Sequence, residues 1–234
     1  MWPPEALTFL EELEANNDRD WFRANRGRYD ADLLAPARDL AEKLSHLGAP
    51  KFFRPYNDTR FHMRPPLKEH IGVAIGYGAA GGFYFELSLD GLIVAGGLHH
   101  AAQDQLERFR AAIGDGRRYK GFERALATAA EAGLSTAEPE LKRAPRGYRP
   151  DHPRIDLLRM KALTVSRRHE LAPWLHKPAC DRRVKAELEA AKPLVDWLAS
   201  TVGPSPGPSR AEPPPPIAPV SAAIPPGSSG RPRY

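Results

Sequence analysis

Two short polar stretches hold most of the side chains able to do chemistry in this chain of 234 residues. One is residues 51–70, KFFRPYNDTRFHMRPPLKEH, and the other is residues 141–161, LKRAPRGYRPDHPRIDLLRMK. Both crowd arginine and lysine beside carboxylates, histidines and aromatic rings, and both are broken by proline. Arg54, Arg60 and Lys68 in the first block, with Lys142, Arg143 and Arg146 in the second, suit a phosphate or carboxylate. A guanidinium offers such a group two parallel charge-assisted hydrogen bonds. In an extended chain Asp58 and Arg60 share one face. Asp58 is therefore the candidate to aim an arginine or to act as a general base. The expectation is one basic cleft in which cations from both blocks face the same anion, with the reaction unspecified. The competing expectation is a non-catalytic interaction protein whose Arg/Asp networks only fix the blocks.

Other chemistries have weaker signals. Phe52, Phe53, Tyr56, Phe61 and Tyr148 among the basic residues suit a nucleic-acid backbone with stacked bases. No helix-turn-helix, ribonucleoprotein motif or zinc finger is legible, so that alternative rests on charge. His62, His70, His99, His100, His152 and His169, near Asp58 and Asp151, are the material for a His/Asp-based hydrolase. Their spacing matches no recognised ligand set, and no metal is assigned. His99 and His100 in a strand would point to opposite faces. Cys180 follows Pro178 at an expected helix start, where a thiol pKa can fall, but a structural cysteine is the simpler reading. No motif names a cofactor.

Charge points the same way as the side chains. The chain carries a formal +5. Residues 51–70 hold five basic and two acidic side chains, and residues 140–168 hold nine and three. The rest of the first 202 residues is net acidic, so the positive charge sits in the blocks. That favours an anionic small molecule or a nucleic-acid backbone as partner. A single cysteine excludes an intramolecular disulfide framework and suits a reducing cytoplasm. No apolar run approaches the roughly 18 residues that cross a bilayer. The first residues are acidic and lack the basic start of a signal peptide.

The elements that must position these residues follow from periodicity. Pro3 and Pro4 open a helix with Phe9, Leu10 and Leu13 on one face. Asp18 caps the next, and Pro36 breaks the run or begins a third that ends at Gly48. The period then falls to two. Ile71, Val73 and Ile75 alternate, then Phe83, Phe85, Leu87 and Leu89 alternate with Tyr84, Glu86, Ser88 and Asp90, which reads as one buried face. Asp90–Gly91 is the expected hairpin turn, with residues 92–98 the return strand. Helices follow over 101–113 and 119–132, an irregular stretch over 134–156, and a strand over 161–167. Asp181 is the expected cap of a last helix reaching Val202 and kinked at Pro193. From residue 203 the Pro, Ser, Gly and Ala content is too poor in large apolar groups to offset ordering. The expectation is a single α+β domain over 1–202 and a disordered Pro-rich tail over 203–234. Its antiparallel sheet is a meander around 71–98 plus further strands, flanked by N-terminal, central and C-terminal helices.

Three passages in order, FLEELEANNDRDWFRANRGRYDADL from Phe9, FRPYNDTRFHMRPPLKEHIG from Phe53 and LKRAPRGYRPDHPRIDLLRMKAL from Leu141, carry a resemblance. Together they resemble domain-of-unknown-function family 2461, uncharacterised conserved bacterial and fungal proteins, over most of residues 5–202. The resemblance implies an α+β domain and no established reaction. The run HMRPPLK departs from the family pattern. It is one residue shorter, with Leu67 where Tyr is usual, and Asn57 stands where Arg is common.

Overall fold

The computed structural model describes residues 1–58, 64–78 and 80–205. The chain opens with α1 (Glu5–Ala15), α2 (Arg19–Ala24) and α3 (Arg26–Arg28), and a π-helical turn, Tyr29–Leu34, leads directly into α4 (Ala35–Lys43). Asp18 caps α2, its carboxylate accepting from the Asp20 and Trp21 amides at 2.8 Å. Pro36 falls in the first turn of α4, where its missing N–H has no intrahelical partner to lose, so the helical path runs through it.

The sheet follows as β1 (Pro50–Phe52), β2 (His70–Gly78), β3 (Gly81–Ser88) and β4 (Gly91–Leu98). Then come α5 (Gln103–Gly114), α6 (Gly116–Glu131), β5 (Ser135–Thr136), α7 (Ile155–Leu158), β6 (Leu163–His169) and α8 (Ala179–Thr201). The strand order is β1-β2-β3-β4-β6-β5, and every neighbouring pair is antiparallel. The protein is thus an α+β fold with the expected meander at its centre.

One face of the sheet is the core. Ile71, Val73, Ile75, Phe83, Phe85, Leu87, Val94 and Val165 pack with the buried stripes of the helices, including Leu10, Leu40, Phe109, Val184 and Leu188. The opposite face is a smaller layer in which Ala74, Tyr84 and Ala95 are buried together with Phe53 and Tyr77 against them.

Four local expectations change. The hairpin turn is Leu89–Asp90, because Ser88 pairs with Gly91. Gly91 is instead the first residue of β4, at φ 123°, and a Cβ there would lie 2.1 Å from the His169 carbonyl oxygen. Its glycine serves the close approach of β6. Pro178 pre-sets a helical φ, so α8 starts before Asp181, which pairs with Lys43 at 2.5 Å and with the amino terminus. α8 also runs unbroken through Pro193, which lies on its exposed side, where water can satisfy the freed carbonyl. Finally, Gly203, Pro204 and Ser205 are held to α5 by Gln105, Arg108 and Asp104. The remaining Pro-rich stretch, from 206 on, lies outside the described residues. Among the described residues no helix is long and apolar enough to cross a membrane.

Candidate functional site

Strand register separates the two basic blocks. Residues 51–70 leave β1 at Phe52, opposite Val73, and enter β2 at His70, which pairs with Ser88. Residues 141–161 lead into β6 at Leu163, which pairs with Leu98 at the far end of the strands. β1 is one edge of the sheet, whereas β6 lies beside the other edge strand, β5. The blocks therefore sit at opposite ends and toward opposite edges. Arg54 and Lys68 are not brought together with Lys142, Arg143 and Arg146. Arg60, like His62 and Phe61, lies outside the described residues. Asp58 is exposed, at the last described position before them.

The second block is largely fastened to helices. Arg154 donates to the Ile113 carbonyl at 2.5 Å and stacks 3.7 Å from the Tyr119 ring centroid. Arg110 donates to the Leu158 carbonyl at 3.0 Å, and Arg159 to the Lys142 carbonyl. Glu140 Oε1 accepts from the amides of Lys161 and Ala162 at 3.2 and 2.7 Å. Lys142, Arg143 and Arg146 are left exposed on this framework. These bonds join arginines to backbone carbonyls rather than to aspartates.

The first block is built as a narrow ladder. Tyr56 bridges Leu67, the Asn57 amide donates to the Pro66 carbonyl at 2.9 Å, and the Lys68 amide to the Pro55 carbonyl at 2.7 Å. Asn57 Nδ2 adds bonds to the carbonyls of Pro65 and Leu67, both at 2.9 Å. Asn17, just before α2, pairs with Leu67 in both directions: Nδ2 donates to its carbonyl at 3.1 Å, and Oδ1 accepts from its amide at 2.9 Å. Asn17 Nδ2 also reaches Glu69 Oε1 at 2.6 Å. Leu67 and Asn57, both departures from the family pattern, are thus fasteners of this ladder, with the Leu67 side chain only 1% exposed.

Beneath the ladder lies the second face of the sheet. Lys51 pairs with Ala74 and Phe53 bonds to Gly72, so both project onto this face. The Nζ atoms of Lys51 and Lys68 lie 5.8 and 5.6 Å from the centroid of the same Phe53 ring. Lys68 is half-buried, and that desolvation pulls its pKa below the ordinary lysine value, although the Glu86 charge opposes the shift. Among the described residues no carboxylate comes within ion-pair distance of Lys68 Nζ.

Glu86 is the anchor of this face. It is 3% exposed, Tyr84 donates to its Oε2 at 2.5 Å, and His70 Nε2 lies 3.6 Å from the same oxygen. Gly72, directly opposite Glu86, leaves the space through which the Tyr84 hydroxyl passes; a Cβ there would lie 2.4 Å from it. Burial raises the Tyr84 pKa, keeping the phenol a donor, and burial lowers that of His70 against the pull of Glu86, favouring neutral imidazole. Sequence reasoning placed His70 in the block but passed over Lys51, Tyr84 and Glu86. Reading only one face of β3 as buried hid the pair. The available signal was the small residues Gly72 and Ala74 on the neighbouring strand, which make room for large polar side chains.

His99 and His100 lie past the end of β4 rather than within it, with ring centroids 4.4 Å apart. A separate buried pair, His169 Nε2 and Glu187 Oε2 at 2.8 Å, ties β6 to α8.

Fold and site together define an α+β protein with a helix-covered sheet face and a second face that buries a small aromatic cluster with Glu86 beside a basic ladder. A family model described as "Conserved hypothetical protein (DUF2461)" matches residues 5–197, and the chain belongs to that family. No curated protein matches the chain, and no solved structure does.

Proposed function

We propose that the protein binds a small anionic, phosphate-bearing ligand against the second face of the sheet, where Lys51 and Lys68 converge on Phe53. The observation that carries this reading is Lys68. An ammonium taken half out of water, without a carboxylate at contact distance among the described residues, is costly unless an anion completes it. Glu86, the carboxylate nearest in effect, is already engaged by Tyr84 and lies beside His70. Arg54, exposed at the rim, adds positive charge.

The arrangement also favours acid–base chemistry on that ligand. His70 has its Nε2 beside Glu86, and its Nδ1 has no hydrogen-bond partner among the described residues. A neutral imidazole backed by a carboxylate can take a proton from a bound hydroxyl, with Glu86 steadying the imidazolium.

A thermal-shift screen of phosphate-bearing metabolites tests the reading, because a ligand that binds the native state raises apparent stability. A hit measured by calorimetry should bind about tenfold more weakly to Lys68→Met, the loss expected for one charge-assisted contact. It should bind unchanged to the Lys142→Ala, Arg143→Ala, Arg146→Ala triple variant. The reverse pattern would move the site to the second block and end this reading. For any hit that is turned over, His70→Asn should keep binding and lose turnover; equal turnover removes His70 from the chemistry.

A further inference from the structure

A recess lies beside the ladder, between Tyr56 and helices α2 and α3. It is an open depression of about 450 Å³ lined by Arg19, Phe22, Arg23, Arg26 and Tyr56. Three of its five lining residues are arginines: Arg19 and Arg23, one turn apart on α2, and Arg26, the first residue of α3. The other two are rings. Phe22 is buried and Tyr56 stands edge-on to it, with centroids 5.8 Å apart and an interplanar angle of 76°. Tyr56 is 45% exposed, unusual for a large ring whose backbone is pinned by the bridge to Leu67. It is therefore an aromatic surface open to solvent, with its backbone held by that bridge.

The arginines are available in different degrees. Arg19 is exposed and has no partner among the described residues. Arg23 pairs with Asp20 at 2.9 Å, but the two side chains are 79% and 86% exposed, so a phosphate can displace that weak pair. Arg26 is the fixed member, bonded to Asp30 at 2.9 Å with its guanidinium 5.5 Å from the Tyr29 centroid. Loosely held cations beside an exposed aromatic surface fit a ligand with a charged end and a flat end. The recess volume lies in the range that holds such small molecules.

We infer that this recess binds a nucleotidyl group, with the base stacked on Tyr56 and the phosphate held by Arg19 and Arg23. Base stacking on an aromatic side chain tolerates any base, and arginine supplies the phosphate contacts. The site is independent of Lys68 and the sheet face. The same chemistry arrives from a free nucleotide or from a single strand, and the test separates them.

The test is fluorescence anisotropy of the full chain with labelled adenosine monophosphate and with a labelled ten-residue oligothymidylate, each at low and moderate salt. Saturable binding of either probe is expected. Arg19→Ala with Arg23→Ala should weaken it about tenfold or more, and Tyr56→Ala by a similar factor, whereas Tyr56→Phe should retain it. Lys68→Met and the Lys142→Ala, Arg143→Ala, Arg146→Ala variant should leave it unchanged. Binding of the mononucleotide identifies a free nucleotide as the source; binding of the oligonucleotide alone identifies a strand. Both Arg positions are exposed, so their variants will fold, and melting curves establish this for Tyr56→Ala. The inference is overturned if neither probe binds, if unlabelled inorganic phosphate competes as well as the nucleotide, or if binding survives loss of Arg19 and Arg23.

Discussion

The Tyr84 hydroxyl lies 2.5 Å from Glu86 Oε2, two residues along the same strand and on the same buried face. Removing that hydroxyl leaves a buried carboxylate short of a donor. Tyr84→Phe should therefore destabilise the protein by about 1–3 kcal/mol. Adding Glu86→Leu should cost less than the sum of the single changes, because the stranded acceptor is removed as well. Urea denaturation of the four members of the cycle measures this, and strictly additive losses would show that the two groups are not coupled.

Gly72 makes that hydrogen bond possible. A Cβ at this position would meet the Tyr84 hydroxyl at 2.4 Å and its ring at 3.1 Å. Gly72→Ala should cost about 1–3 kcal/mol through overpacking. In a Tyr84→Phe background the cost should shrink, since the nearest clashing atom is gone. An equal cost in both backgrounds would place the strain elsewhere.

Acid should weaken the fold before its carboxylates titrate. His70 and His99 are both held below the ordinary histidine value of 6.5, burial being the larger cause in each. In the unfolded chain they take up protons at a higher pH than in the native state, so stability falls as pH drops from about 6.5. Each contributes a slope of at most about 1.4 kcal/mol per pH unit. The carboxylates held low, such as Glu12, Asp104, Asp115 and Asp181, lose their stabilising bonds only at lower pH. Chemical denaturation between pH 5 and 7 should therefore give a shallower dependence for His70→Gln than for the unaltered protein. An unchanged slope would mean that His70 is not desolvated.

Much of this architecture was legible and some was not, for identifiable reasons. Helical spacing located the elements around Phe9, Leu40, Phe109 and Leu188, period-two alternation located β2 and β3, and the turn signal at Asp90–Gly91 placed β4. The two periodic signals arise from burial of one face, which dominates local preference. The second face of β3 was not legible, because Tyr84 and Glu86 look like ordinary solvent-facing alternation. Their burial depends on Gly72 and Ala74 from another strand. The separation of the two blocks was also hidden, since like composition says nothing of strand order. β6 enters the sheet beside β4 from the end opposite His70, and only register reveals that. Leu67 and Asn57 read as departures from a pattern; their bonding to Tyr56, Pro65 and Asn17 shows what those residue types do here.

The one thiol should be inert. Cys180 has no exposed surface, and burial pushes its pKa up to about 11, opposite to the fall that a helix start can cause. A thiol-reactive dye at pH 8 should leave the native protein unlabelled and modify it stoichiometrically in denaturant. Rapid native labelling would show that Cys180 is reached by solvent.

The reciprocal bonds between Asn17 and Leu67 join positions 50 residues apart. They should make the start of α2 and the basic ladder open as a single unit. Amide hydrogens at Leu67 and Lys68 and those in the first turn of α2 should exchange with a common opening free energy, below that of β3 and β4. Asn17→Ala should accelerate the whole group together while leaving the central strands protected. The platform of Tyr56 and the arginines of α2 would then lose their alignment through one cooperative fluctuation, and a ligand that bound them would suppress that local opening.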